Sequence, residues 1–185
     1  MKEGYTRVTK VLSPFTGYRA IPEQILQAKA AIGTRAHEVI HSFLKTGGIW
    51  DVDDEIKGYV ESMKKFWGEG YPIKEIETRM YCEEHLLTGE PDLLIEGPKG
   101  LTLIDWKTSV KENATWKLQG SGYAHLCKQN GHDIKDIWFV KLDKLGKDPE
   151  IFKYKKDIPL FMKCLEMYKM FFSKEENLII EELID

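Results

Sequence analysis

Residues 91–108, PDLLIEGPKGLTLIDWKT, constrain this chain more than any other stretch. Two apolar runs, 91–96 and 101–108, flank the turn signal GPKG and read as strands of a hairpin. Asp105 and Lys107 are two apart in the second run, so they point to one face and Trp106 to the other. An aspartate and a lysine emerging from LTLI need a partner or a metal, because a lone buried charge is costly. When the two runs pair, Asp92 approaches Asp105, and two close carboxylates repel unless a cation lies between them. Hard oxygen donors with positions left for water and phosphate suit magnesium or manganese. Such a constellation serves phosphodiester hydrolysis, with the metal acidifying water and a lysine stabilising the transition state as a compact charge. The bland reading of D-x-K is an edge-strand salt bridge, and Asp92 one hairpin back weighs against it.

The rest of the chain supplies a frame. Helices are expected over 22–31, with Pro22 in the first turn, and over 34–45 after a break at Gly33, with Thr34 as N-cap. A third follows over 52–67, where Ile56, Val60, Met63 and Trp67 recur at helical spacing. Residues 73–84 alternate like a strand. A helix is expected over 115–129, strands over 134–142 and 150–156, and a final helix over 158–172. That last helix turns Leu160, Phe161, Cys164, Leu165, Tyr168 and Phe172 inward. The expected fold class is α/β, a central mixed sheet flanked by helices, in one domain spanning 1–185.

Four motifs in order resemble one family. Pro91-Asp92 with Asp105-Trp106-Lys107 resembles the PD-(D/E)xK nuclease signature, and GEPDLLIE and LIDWKTS resemble the strands of its RecB-like branch. Gln119 to Tyr123 matches Q-x-x-x-Y, and Gly33 to His37 matches G-x-x-x-H. The opening residues also resemble small phage-type exonucleases of this superfamily. The resemblance implies a restriction-endonuclease-like βββαβ core with N-terminal helices and a C-terminal helix. Asp92, Asp105, the Trp106 carbonyl and His37 would hold Mg2+ or Mn2+. Lys107 would serve the attacking water or the transition state, and Gln119 and Tyr123 would order the site and contact DNA. The implied activity is an exonuclease on linear single- or double-stranded DNA, in phage or mobile-element processing or recombination. A structure-specific endonuclease on the same fold is the alternative. Three scattered cysteines cannot hold the iron–sulfur cluster of some helicase-linked relatives, and a stand-alone nuclease is expected.

HEVIH at 37–41 also matches H-E-x-x-H, the zinc-protease helix motif, with Glu61 as a third ligand. That reading leaves Asp92, Asp105, Lys107, Gln119 and Tyr123 unexplained. The nuclease reading uses His37 and leaves Glu38 incidental, with His41 as a satisfied helix histidine. The net charge of −3 does not advertise nucleic acid. Residues 1–45 nevertheless carry seven Lys and Arg against three Glu, +4, leaving −7 for the remainder. Arg35, Lys111 and Lys117 could meet phosphates and Trp116 a base, and surface or core roles are the commoner ones. Glu75 and Glu77, on the strand before Asp92, could supply a further carboxylate to a second metal, and Glu90 could point the same way as Asp92, although an exposed strand face is the commoner reason for such residues. His85, His125 and His132 receive no role. Cys82, Cys127 and Cys164 fit reduced thiols in a cytoplasmic protein. No apolar run is long enough to span a bilayer, and no secretion signal opens the chain. The final helix and residues 178–180 offer a face for a second copy or a recombination partner, although core packing accounts for the helix.

Overall fold

A computed structural model describes residues 2–17, 21–48, 52–68 and 70–172. The elements run β1 (Thr6–Arg7), α1 (Val8–Leu12), α2 (Glu23–Thr46), α3 (Asp54–Trp67), β2 (Ile73–Ile76), β3 (Met80–Cys82), β4 (Leu87–Gly89), β5 (Leu93–Gly97), β6 (Gly100–Lys107), α4 (Trp116–Gln129), β7 (Asp136–Lys141), β8 (Glu150–Tyr154) and α5 (Ile158–Phe172). A five-stranded sheet has the order β2-β5-β6-β7-β8 and a small one the order β1-β4-β3. In the large sheet β6 and β7 are parallel and the other neighbours antiparallel. A parallel pair needs a crossover, and α4 is its helix. Leaving the β3–β4 excursion aside, β2, β5, β6, α4 and β7 follow the βββαβ order expected from the sequence.

Alternation along the strands builds a core on each face of the large sheet. Leu94, Leu103, Ile137 and Phe139 pack with α1, α4 and α5, through Val8, Val11, Tyr123, Leu126, Phe161 and Leu165 among others. Leu93, Ile95, Ile104, Trp106, Trp138 and Val140 pack with α2 and α3, through Ala36, Ile40, Ile56, Tyr59 and Met63. A sheet buried on both faces explains why its central strands read as unbroken apolar runs. No helix among the described residues is long and apolar enough to cross a membrane.

Three expectations need correction. Gly33 does not end a helix: α2 runs unbroken from Glu23 to Thr46, and Thr34 lies inside it. Gly33 is there for close approach, because a Cβ would come within 3.1 Å of Thr108 Oγ1 just beyond β6. Residues 73–84 are two strands in two sheets. Glu77 takes a left-handed conformation, φ 51°, and its N–H donates to the Asp92 carbonyl at 3.0 Å, which turns the chain from one sheet to the other. In α5, Leu160 and Phe172 are exposed, whereas Phe161, Cys164, Leu165 and Tyr168 are buried as expected. The strands β1 and β4 and helix α1 are too short to give a periodic signal and are additions to the sequence reading. Residues 178–180 lie outside the described residues.

The helix α3 docks against the β7–β8 connection at Gly58, where an added Cβ would fall 1.8 Å from the Lys144 carbonyl oxygen. That atom is backbone and cannot rotate away. Gly58→Ala is therefore expected to lower unfolding stability by about 1–3 kcal/mol, read as a shifted urea midpoint at unchanged slope.

Candidate active site

The site forms at the open end of the β5–β6 hairpin. Pairing of Leu93 with Ile104 places Asp92, one residue before β5, across from Asp105. The Trp106 N–H donates to Asp92 Oδ2 at 2.8 Å, which fixes that carboxylate against the second strand. Trp106 turns its ring into the α2–α3 core, so Asp105 and Lys107 face α4.

From the other side α4 presents Gln119 and Tyr123, one turn apart. The Gln119 amide spans the charged pair. Its Nε2 donates to Asp105 Oδ1 at 3.1 Å, and its Oε1 accepts from Lys107 Nζ at 3.1 Å. Lys107 Nζ is 2.6 Å from Asp105 Oδ2 and stands 5.0 Å from the centroid of the Phe139 ring. The Tyr123 hydroxyl is 3.3 Å from Gln119 Nε2. All five residues expected to form the catalytic group are thus in one place.

α2 contributes two histidines. His37 Nδ1 lies 3.2 Å from Asp92 Oδ1. His41, one turn on, is 3% exposed, with Nε2 3.8 Å from Asp92 Oδ1 and Nδ1 3.2 Å from Glu77 Oε2. His41 therefore belongs to the site's surroundings. Its i, i+4 spacing from His37 was the available signal, and Glu77, weighed in the sequence as a further carboxylate on the strand before Asp92, reaches His41 rather than the carboxylate pair. Glu38 and Glu61 are both exposed, and Glu61 pairs with Lys64. Among the described residues, the metal-capable group containing His37 and His41 is completed by Asp92, not by Glu61.

Several secondary candidates go elsewhere. Arg35 is bound by Asp53 and Glu55 at the start of α3, and Lys117 pairs with Asp157 at 3.0 Å. Glu90 pairs with Arg79, and Glu75 accepts from Thr78 Oγ1 at 2.7 Å. Trp116 is buried and stacks on Phe139, so it is a core residue. Lys111 is exposed. Beside the carboxylates opens a cleft of about 460 Å³, with Ala30, Gly33, Thr34 and His37 from α2 on one wall. Lys107, Thr108, Ser109 and Gln119 also line it.

Burial and neighbouring charge push the two carboxylates in opposite directions. Burial raises the pKa of Asp92, but His37, His41 and Lys107 together hold it below the usual carboxylate range. Burial and the charge of Asp92 push Asp105 up to about 6, against the pull of Lys107. His37 is raised because Asp92 and Asp105 outweigh its burial, whereas burial lowers His41. Burial also raises Tyr123, which stays a neutral hydroxyl. The donor set fits a small divalent cation. Asp105 Oδ2 and both ring nitrogens of His41 are buried without an aligned hydrogen bond, and His37, His41 and Asp92 offer donor atoms within 4.8 Å of one another.

No protein-family model matches the chain, and no curated protein matches it in sequence. Solved structures do match. A candidate exonuclease from Eubacterium rectale superposes with a TM-score of 0.56 at 13% identity, over 91% of this chain and 78% of that one. The protein SSO0001 superposes with a TM-score of 0.52 at 15% identity, over 94% and 79%. The fold is shared. At these identities the likeness concerns architecture, and the chemistry has to be argued from the residues.

The raised pKa of Asp105 has a measurable consequence in metal-free protein. A folded-state value above the unfolded 3.8 means that ionising Asp105 opposes folding. Its contribution is fully present below the unfolded value and is lost as pH rises through about 6. In the presence of a chelator, Asp105→Asn is therefore expected to melt higher than the parent protein at about pH 8. The gain shrinks as pH falls through 6 and vanishes near the unfolded value.

Proposed function

We propose that this chain is a divalent-metal-dependent deoxyribonuclease of the RecB-like PD-(D/E)xK type, acting as an exonuclease on linear DNA. The observation that carries the reading is the joining of Asp92, Asp105, Lys107 and Gln119 at one hairpin end beside an open cleft. The shared fold with a candidate exonuclease supports it. In this reading residues 1–185 form one nuclease domain, at work in the cytoplasm on phage or mobile-element DNA.

Asp92, Asp105, the Trp106 carbonyl and His37 would hold the cation. Two carboxylates and a carbonyl favour magnesium or manganese, which prefer oxygen. When bound, the cation supplies Lewis acidity, polarising a phosphate oxygen and lowering the pKa of water. The chain does the rest. The Trp106 N–H holds one Asp92 oxygen, so the other is presented in a fixed direction. Gln119 holds Asp105 and Lys107 together, which aims Nζ along the cleft wall. There the ammonium can donate to water approaching phosphorus or to charge growing on the phosphate. Tyr123 braces Gln119 from the next turn of α4.

Lys107→Ala is expected to cut cleavage of end-labelled linear DNA by roughly a hundredfold or more while leaving the circular dichroism spectrum intact. Activity that needs magnesium or manganese and spares circular DNA would establish the exonuclease. Cut circles would make it an endonuclease, and inactivity with every cation would refute the reading. Binding alone has its own readout. Saturating manganese should raise the melting temperature of the parent protein and leave that of Asp92→Ala unchanged, because only a ligand that prefers the folded state stabilises it.

A further inference from the structure

A second group of metal-capable side chains lies away from the carboxylates. Cys82 ends β3, His85 lies in the turn to β4, and His125 is on α4. Their donor atoms lie within 4.8 Å of one another. Cys82 Sγ is 3.7 Å from His125 Nε2, and the two imidazole rings stand 5.4 Å apart, tilted by 35°. We propose that Cys82, His85 and His125 form a zinc site that pins the β3–β4 turn to helix α4.

The chemistry of the donors selects the ion. A thiolate with two imidazoles suits zinc, whereas magnesium and manganese prefer oxygen. With Zn–S near 2.3 Å and Zn–N near 2.0–2.1 Å, a tetrahedral ion holds sulfur and nitrogen about 3.6 Å apart. The Cys82–His125 separation already matches that span. Cys82 and His85 are separated by two residues across a tight turn, the short spacing from which zinc sites take a ligand pair. The turn has an unusual backbone: Leu86 adopts φ 47° and leaves its side chain exposed.

Burial completes the argument. Cys82 and His125 are 2% and 8% exposed, and His85 lies at the edge. The three therefore form an inward-facing pocket whose fourth position opens to solvent. The Glu84 carboxylate is 3.8 Å from His85 Nε2 on that open side. Cys127 and Cys164 are not among the clustered donors, and burial pushes the Cys127 thiol up to about 12. The role is structural. α4 also carries Gln119 and Tyr123, so an ion here ties the small sheet to the helix that orders the carboxylate site.

The test uses the full chain, stripped of metal, with His37→Ala and Asp92→Asn introduced so that the other donor group cannot contribute. Zinc is added, excess is removed by gel filtration, and bound metal is counted. One zinc per chain is expected. Cobalt in its place should give a thiolate-to-metal charge-transfer band. Adding His85→Ala, at the edge of the turn, should weaken zinc at least tenfold without altering the fold, and Cys82→Ser should abolish the cobalt band. Because Cys82 is in the core, His85→Ala decides the matter if the serine variant fails to fold. Zinc well below one per chain, unchanged affinity in His85→Ala, or cobalt bound without the thiolate band would each overturn the proposal.

Discussion

The register of one hairpin governs the site. With Leu93 opposite Ile104, Asp92 meets Asp105, and the Trp106 N–H reaches the Asp92 carboxylate. A slip of one residue would exchange the faces of β6. It would push Asp105 and Lys107 into the α2–α3 core and turn the Trp106 ring toward Gln119. Burial of Trp106 and Ile104 on one side and of Leu103 on the other makes that exchange expensive. The apolar residues that stabilise the sheet are thus the same ones that aim its charged residues.

That register also creates an electrostatic problem, which the surrounding residues distribute. Two carboxylates are taken out of water side by side, and Lys107 is the cation nearest Asp105. Burial and the charge of Asp92 raise Asp105 against the pull of Lys107, and the two carboxylates raise His37 against its own burial. A divalent cation held by these carboxylates would have to displace protons, and its affinity would therefore depend on pH. Burial lowers the pKa of His41, against the pull of Asp92 and Glu77. One helix therefore sets two imidazoles with oppositely shifted pKa values beside a single carboxylate.

Much of this was legible in the sequence where the signal was local. Alternation within LTLIDWKT placed Asp105 and Lys107 on one face, and i, i+4 spacing placed Gln119 with Tyr123 on another element. The turn at GPKG brought Asp92 into range. What escaped was information carried by distant packing. Gly33 resembles a helix breaker until Thr108 is seen beside it. Residues 73–84 alternate like one strand, yet the left-handed backbone at Glu77 divides them into two strands of two sheets. His85 and His125 are forty residues apart, and no periodicity joins a turn to the far side of a helix. Trp116 near Gln119 suggested a stacking platform, but Phe139 already occupies its face.

The wall that α2 presents to the cleft is built from small residues, Ala30, Gly33 and Thr34, before it reaches His37. Helix α2 can lie close to the end of β6 there because Gly33 has no side chain to hold the two apart. A methyl group added at Gly33 would meet the Thr108 hydroxyl at 3.1 Å, so helix and strand end are closely packed there. The small residues of this wall and the charged residues of the site belong to different positions in the sequence. A chain organised in this way can change the width of what it admits while its carboxylates, lysine and glutamine stay as they are.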